Sequence, residues 1–128
     1  LDTKKMDELK NVSFIQCDFL EENTKEKILN FFKDKLDVVI SDMAANTTGN
    51  KSLDSIRTNQ LCAEVIKFSS KILKPNGVLV SKLFMGDDFL EVKELAKSRF
   101  KKVDFFKPEA SRNESKETYL HCVTLRTL

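Results

Sequence analysis

Apolar positions along the chain switch between two spacings, and the switches mark its elements. "NVSFIQCDF" reads as a short strand from Val12 to Gln16. Asn23, with Glu26 three residues later, resembles a capping box and predicts a helix to about Lys33. Ile28, Leu29, Phe31 and Phe32 give that helix its apolar side. "LDVVIS" is a nearly continuous apolar run, which predicts a strand covered on both faces. A polar loop from Asp42 to Lys51 follows. Ile56, Leu61, Val65, Phe68 and Ile72 then recur at helical spacing and predict a helix from about Leu53 to Leu73. Pro75 and Gly77 in "KPNG" stop it. "VLVSKLF" is a third strand. Asp88 with Glu91 predicts the start of a helix from about Phe89 to Lys97, and "KKVDFF" a fourth strand. "KPEASRNESK" is a polar loop, and "ETYLHCVTL" a fifth strand.

Strands alternating with helices argue for an α/β class with a mainly parallel sheet. A loop without a helix joins the last two strands, so they are expected to pair antiparallel. No repeat, low-complexity tract or linker interrupts the 128 residues, which suit one domain with a modest core. A hydrophobic content of 41% and a charged content of 33% describe a globular, water-soluble chain. The net charge of +2 is too balanced to identify a nucleic-acid partner, so any basic patch must be local. No apolar run reaches the length of a membrane span, and the amino terminus lacks the layout of a signal peptide. A cytoplasmic protein is the expectation. Leu1 in place of an initiator Met suggests a fragment or a processed chain.

Cys17, Cys62 and Cys122 have no metal-ligand spacing and read as reduced thiols, and no metal site is expected. His121, the one histidine, sits in an apolar strand and reads as packing. Chemistry concentrates at three strand ends. The apolar "VVIS" runs into Asp42. In α/β folds that position faces the crevice that binds ligands, although Asp is also common in turns. Lys82 lies inside an otherwise apolar strand. It is either a snorkelling side chain on an edge or a desolvated amine suited to proton transfer. Glu117 opens the last strand. The predicted topology lets all three face one crevice, and composition and spacing leave several reactions open to them.

These same residues carry a resemblance. "DVVISDMAANTTG", "LKPNGVLVSKLFMGDDF" and "KPEASRNESKETYL" resemble, in order, three motifs of FtsJ/RrmJ-like ribosomal RNA 2′-O-methyltransferases. The match covers the carboxyl-terminal two-thirds of such a protein. It implies a partial methyltransferase domain over residues 1–128 with a Rossmann-like fold that lacks the first two strands. The implied order of the remaining strands is 4-5-7-6, with only the last antiparallel. Val12–Gln16 would have no assigned neighbour, and Val38–Ile40 would form an open edge through which chains can associate.

The resemblance also implies S-adenosylmethionine as cofactor and Asp42, Lys82 and Glu117 as three members of a catalytic Lys-Asp-Lys-Glu tetrad. The family's first lysine and glycine-rich loop have no counterpart in this sequence, so the chain alone is expected to be inactive and to bind cofactor weakly. Asp2 falls on the residue for the cofactor ribose, Asp18 and Phe19 on the adenine segment, and Asp42 on the methionine end. Cys17 stands where glycine is usual, and Ala45 where proline is frequent.

In the implied mechanism Lys82 accepts the proton of a ribose 2′-hydroxyl while Asp42 and Glu117 orient the site. Arg57, Lys74, Lys107, Arg112 and Lys116 are candidate phosphate contacts, each also readable as a solvated charge. Tyr119 reads as packed in its strand or stacked on a base. "SDMAANTTG" is more similar to the ribosomal than to the tRNA branch of the family. Large-subunit ribosomal RNA is therefore the expected partner, with uridine as the expected nucleotide. The alternatives are a tRNA 2′-O-methyltransferase and a non-catalytic relative that binds RNA or protein.

Overall fold

The computed structural model describes residues 1–5, 7, 9–44, 48–86, 88–107 and 117–126. Two compact units divide the chain, Leu1–Asp34 and Lys35–Leu128.

In the first unit, Val12–Gln16 forms no full strand. Gln16 makes one parallel bridge with Asp2, and Val12 one antiparallel bridge with Leu9. The left-handed Asn11 (φ 63°) turns the chain between Leu9 and Val12. A ladder needs a partner of comparable length, and the described residues of this unit supply only single bridges, at Asp2 and Leu9. Helix α1 spans Glu22–Phe31. Its N-cap is Glu21, which makes no side-chain cap bond, so the predicted capping box at Asn23 is not formed. Instead the Thr24 hydroxyl, buried, donates to the Asp18 carbonyl at 2.5 Å and ties the first turn to the preceding loop. Leu29, Phe31 and Phe32 are all exposed, so the predicted apolar side is largely open.

The second unit contains β1 (Leu36–Ser41), α2 (Lys51–Ile72), β2 (Leu73–Phe84), α3 (Phe89–Arg99), β3 (Phe100–Phe106) and β4 (Glu117–Leu125). The sheet order is β1-β2-β4-β3. β1 and β2 are parallel, and β4 runs antiparallel to both β2 and β3. This is the expected 4-5-7-6 arrangement with one reversed strand. Between Leu36↔Leu73 and Val38↔Val78 the register jumps, so "KPNG" bulges out of β2 rather than ending the helix at a distance. Gly77 is needed there: a Cβ would lie 3.0 Å from both Leu73 Cδ2 and the Lys74 carbonyl.

One face of the sheet carries the core. Leu79, Leu83, Leu120 and Cys122 are fully buried. Cys62, Val65, Ile66 and Ile72 of α2, with Val92 and Ala96 of α3, are buried as well. Burying each leucine, valine or isoleucine among them contributes roughly 1.5–3 kcal/mol before entropy is counted. The predicted cover on both faces of β1 is not seen: Val38 is 48% and Ile40 73% exposed. β1 is an edge strand, and alternation turns these two side chains away from the helices. Asn50 caps α2 by accepting from Leu53 N at 3.1 Å. Asp88 stands at the N-cap of α3 as predicted but makes no cap bond there; its Oδ1 accepts from Asn59 Nδ2 at 2.8 Å. No helix among the described residues is long and apolar enough to cross a membrane.

Candidate active site

Strand pairing brings the chemistry together. Lys82 is the register partner of Tyr119, and Phe84 that of Glu117. Glu117 and Tyr119 are two residues apart on β4 and therefore share a face with Lys82. Asp42 follows the last residue of β1, where Ser41 pairs with Ser81 beside Lys82. The Lys82 Nζ lies 3.0 Å from Asp42 Oδ1 and 3.8 Å from Glu117 Oε2. The lysine side chain is 14% exposed, against 67% for Asp42 and 28% for Glu117. A shielded amine thus meets a carboxylate open to solvent. Lys82 is not a snorkelling edge residue: β2 lies between β1 and β4.

Tyr119 completes the group. Its hydroxyl lies 2.6 Å from Asp42 Oδ1 and 3.3 Å from Glu117 Oε1. One hydroxyl carries one proton, so the shorter contact receives it. Stacking on Phe106, with centroids 5.7 Å apart and planes at 21°, holds the ring. The bond to Asp42, then burial and the two negative charges, push the Tyr119 hydroxyl well above its ordinary range. It stays a donor at neutral pH. Burial pushes the Asp42 carboxyl up, but the Tyr119 bond and Lys82 outweigh it and hold the carboxyl below its ordinary value. From sequence Tyr119 reads only as packed or base-stacking, and the structure adds this hydrogen-bonding role. Its signal was the period-2 spacing from Glu117, which is legible once β4 is recognised.

A model of the FtsJ-like methyltransferase family matches residues 1–125. The chain belongs to that family. Among curated relatives, ribosomal RNA large subunit methyltransferase E of Pelagibacter ubique is 47% identical over 126 residues, covering 98% of this chain and 62% of that protein. The Rickettsia akari protein of the same name is 45% identical over 120 residues, covering 94% and 53%. The FtsJ-like chain therefore spans only about half to three-fifths of these relatives' length. A crystal structure of a putative ribosomal RNA methyltransferase from Plasmodium falciparum matches with a TM-score of 0.83 at 27% identity, covering 97% of this chain and 69% of that one. A putative methyltransferase from Streptococcus mutans in complex with SAH matches with a TM-score of 0.56 at 16% identity, which supports the fold alone. The fold is Rossmann-like, of the methyltransferase kind.

The other site candidates of this FtsJ-like chain are placed unequally. In the first unit, the Asp2 backbone pairs with Ile15 and Cys17, which brings Asp2 beside the segment ending in Asp18. Asp2 Oδ1 accepts from Lys4 N at 3.2 Å, and that bond, with burial opposing it, holds its carboxyl low. Asp18 Oδ1 accepts from Leu20 N at 2.9 Å. The Phe19 ring lies under Lys25 Nζ, 5.3 Å from the centroid. In the second unit, Arg57 is exposed on α2 near the carboxyl end of β2, and Lys107 is exposed just beyond the end of β3. Both share the sheet end that carries Lys82. Lys74 does not. It pairs with Asp37 at 2.9 Å near the start of β2, roughly 17 Å from Lys82 along the sheet, the span from Asp37 to Asp42 on the other side of the bulge. It lies toward the opposite end of the strand from the Lys82 cluster. Arg112 and Lys116 lie outside the described residues.

Proposed function

We propose that the protein carrying this chain is an S-adenosylmethionine-dependent RNA 2′-O-methyltransferase. Its substrate is a ribose of large-subunit ribosomal RNA, with uridine as the expected nucleotide. The chain forms part of one methyltransferase domain in the cytoplasm. The observation that carries this reading is Lys82, shielded from solvent and held between Asp42 and Glu117, in a chain of the FtsJ-like family.

Acceptor chemistry at Asp2 and Asp18 suits the hydroxyl and amino donors of an adenosine group, so the residues fit the cofactor. When bound, that cofactor supplies a methyl already activated on a sulfonium. The resemblance implies that Asp42 would take the methionine end of that cofactor. Lys82 receives the 2′-hydroxyl proton, which requires the neutral amine at the moment of attack. Glu117 and Tyr119 fix Lys82 and Asp42 so that attack runs from one direction. Arg57, Lys107, Arg112 and Lys116 hold phosphates and set the register of the RNA.

Deleting the gene and mapping ribose methylation across ribosomal RNA tests the proposal. Loss of one large-subunit methylated ribose, restored by the wild-type gene, is the expected result. An unchanged ribose map, or loss confined to tRNA, would overturn the ribosomal assignment.

A further inference from the structure

Asn59 belongs to none of the roles above, yet it is fully buried (0% exposed) and makes three hydrogen bonds. Its Oδ1 accepts from Phe84 N at 2.7 Å, and its Nδ2 donates to the Phe84 carbonyl at 2.8 Å. The same Nδ2 donates to Asp88 Oδ1 at 2.8 Å. One side chain thus takes both backbone groups of a single strand residue. In a strand, the N–H and C=O of one residue project to the same side. Phe84 turns both away from β4, toward the side on which β1 pairs. The β1 ladder stops at Ser41↔Ser81, three residues earlier. The Asn59 amide therefore supplies the rung that β1 no longer reaches.

We propose that Asn59 is a positioning residue for methyl transfer: it completes the β2 ladder beyond the end of β1 and so fixes the strand ends that carry Lys82 and Glu117. This rests on the methyltransferase reading. Lys82 lies two residues before Phe84, and Glu117 is the register partner of Phe84. A strand end with free N–H and C=O groups frays, and fraying at Phe84 displaces both side chains at once. The bond to Asp88 extends the clamp to the N-cap of α3. Displacing aligned groups by about 1 Å is enough to cost on the order of 100-fold in rate.

The test uses Asn59→Leu and the milder Asn59→Ser in the full open reading frame, with S-adenosylmethionine and a large-subunit RNA transcript as probes. For Asn59→Leu, kcat falls about 10- to 100-fold while KM for RNA and cofactor affinity stay within about threefold. Asn59→Ser, which keeps one donor and acceptor, loses less. If Asn59→Leu does not fold, Asn59→Ser is judged by the same criteria. A lower melting temperature with kcat per folded molecule intact shows a structural role only and overturns the proposal. Carbon NMR of the Asp42 carboxyl provides an arm independent of turnover. Displaced Lys82 lets that carboxyl titrate higher in the variant than in the wild type. If the wild type transfers no methyl, the functional reading fails. A raised Asp42 midpoint then still supports the clamp, and an unchanged midpoint overturns it.

Discussion

Replacing Lys82 by methionine removes the amine and keeps the apolar stem, so it separates chemistry from stability. Two charges 3.0 Å apart attract by about 1.4 kcal/mol in water and by about 5.5 kcal/mol at an effective dielectric constant near 20. Asp42 is two-thirds exposed, so solvent screens the pair and the lower figure governs. The largely shielded ammonium also gives back hydration that methionine never needs. The net change in stability is therefore about 1 kcal/mol or less in either direction. For a domain of this size that is a melting shift of about 3–6 °C. Loss of a proton acceptor, by contrast, costs about 10²- to 10⁴-fold in rate. Single-turnover methyl transfer, a thermal melt and cofactor binding on the same Lys82→Met protein give the comparison. Lys74→Met is the control, since Lys74 is also ion-paired, to Asp37 at 2.9 Å, but near the other end of β2. Transfer by Lys82→Met within tenfold of wild type, or equal losses in both variants, would refute the reasoning.

Tyr119→Phe removes the donor that, with Lys82, holds the Asp42 carboxyl low. A carboxyl depressed by folding contributes stability that is complete above its unfolded titration and is lost as pH falls through the folded one. The variant should therefore be less stable than the wild type at neutral pH and should lose less stability on acidification, the two curves converging as pH falls through the folded titration of Asp42, and melts across the acid range check this. Asn50→Ala should cost about 1 kcal/mol because its side chain caps α2, whereas Asn23→Ala should change stability by less than about 0.5 kcal/mol; chemical denaturation decides. Burial raises the Cys62 thiol to about 11, with the Ser81 bond opposing. Burial, then Cys62 and Asp104, raise Cys122 to about 12. An alkylating reagent near about pH 8 should therefore modify Cys17 in the folded protein and reach Cys62 and Cys122 only on unfolding, as mass spectrometry will show.

The strand ends of this sheet were legible because apolar runs break at polar groups. Glu117–Leu125 matches "ETYLHCVTL" residue for residue, and the sheet order followed from the motif resemblance. Convergence of Asp42, Lys82 and Glu117 was legible for the same reason, since adjacent strands ending in polar residues share one end of the sheet. The cover on β1 was not legible: "DVVIS" has the apolar run of a doubly covered strand, and no pattern within one segment says which neighbours exist. Val12–Gln16 forms no full strand, in keeping with the missing neighbours that the resemblance implied, since strand propensity does not supply a pairing partner. Asn59 was invisible because periodicity was read from apolar positions alone. Thr58, Asn59 and Ser69 are buried in α2 beside Cys62, Val65 and Ile66. The capping signal misled at Asn23, where α1 starts earlier with Glu21 as N-cap; at Asp88 it placed the helix start correctly, although the side chain makes no cap bond. Thr24 ties the start of α1 to Asp18, and Asn59 takes the side chain of Asp88.

The central claim is that Lys82, Asp42 and Glu117 serve transfer of a methyl group to a ribose oxygen. The most direct measurement incubates the purified full-length protein with S-adenosylmethionine carrying a labelled methyl and with large-subunit RNA made without modifications, then locates the label by nuclease digestion and mass spectrometry. The account predicts one label on a ribose 2′-oxygen, absent with Lys82→Met protein that is folded and binds cofactor. A label on a base, or transfer that persists in Lys82→Met, would contradict it.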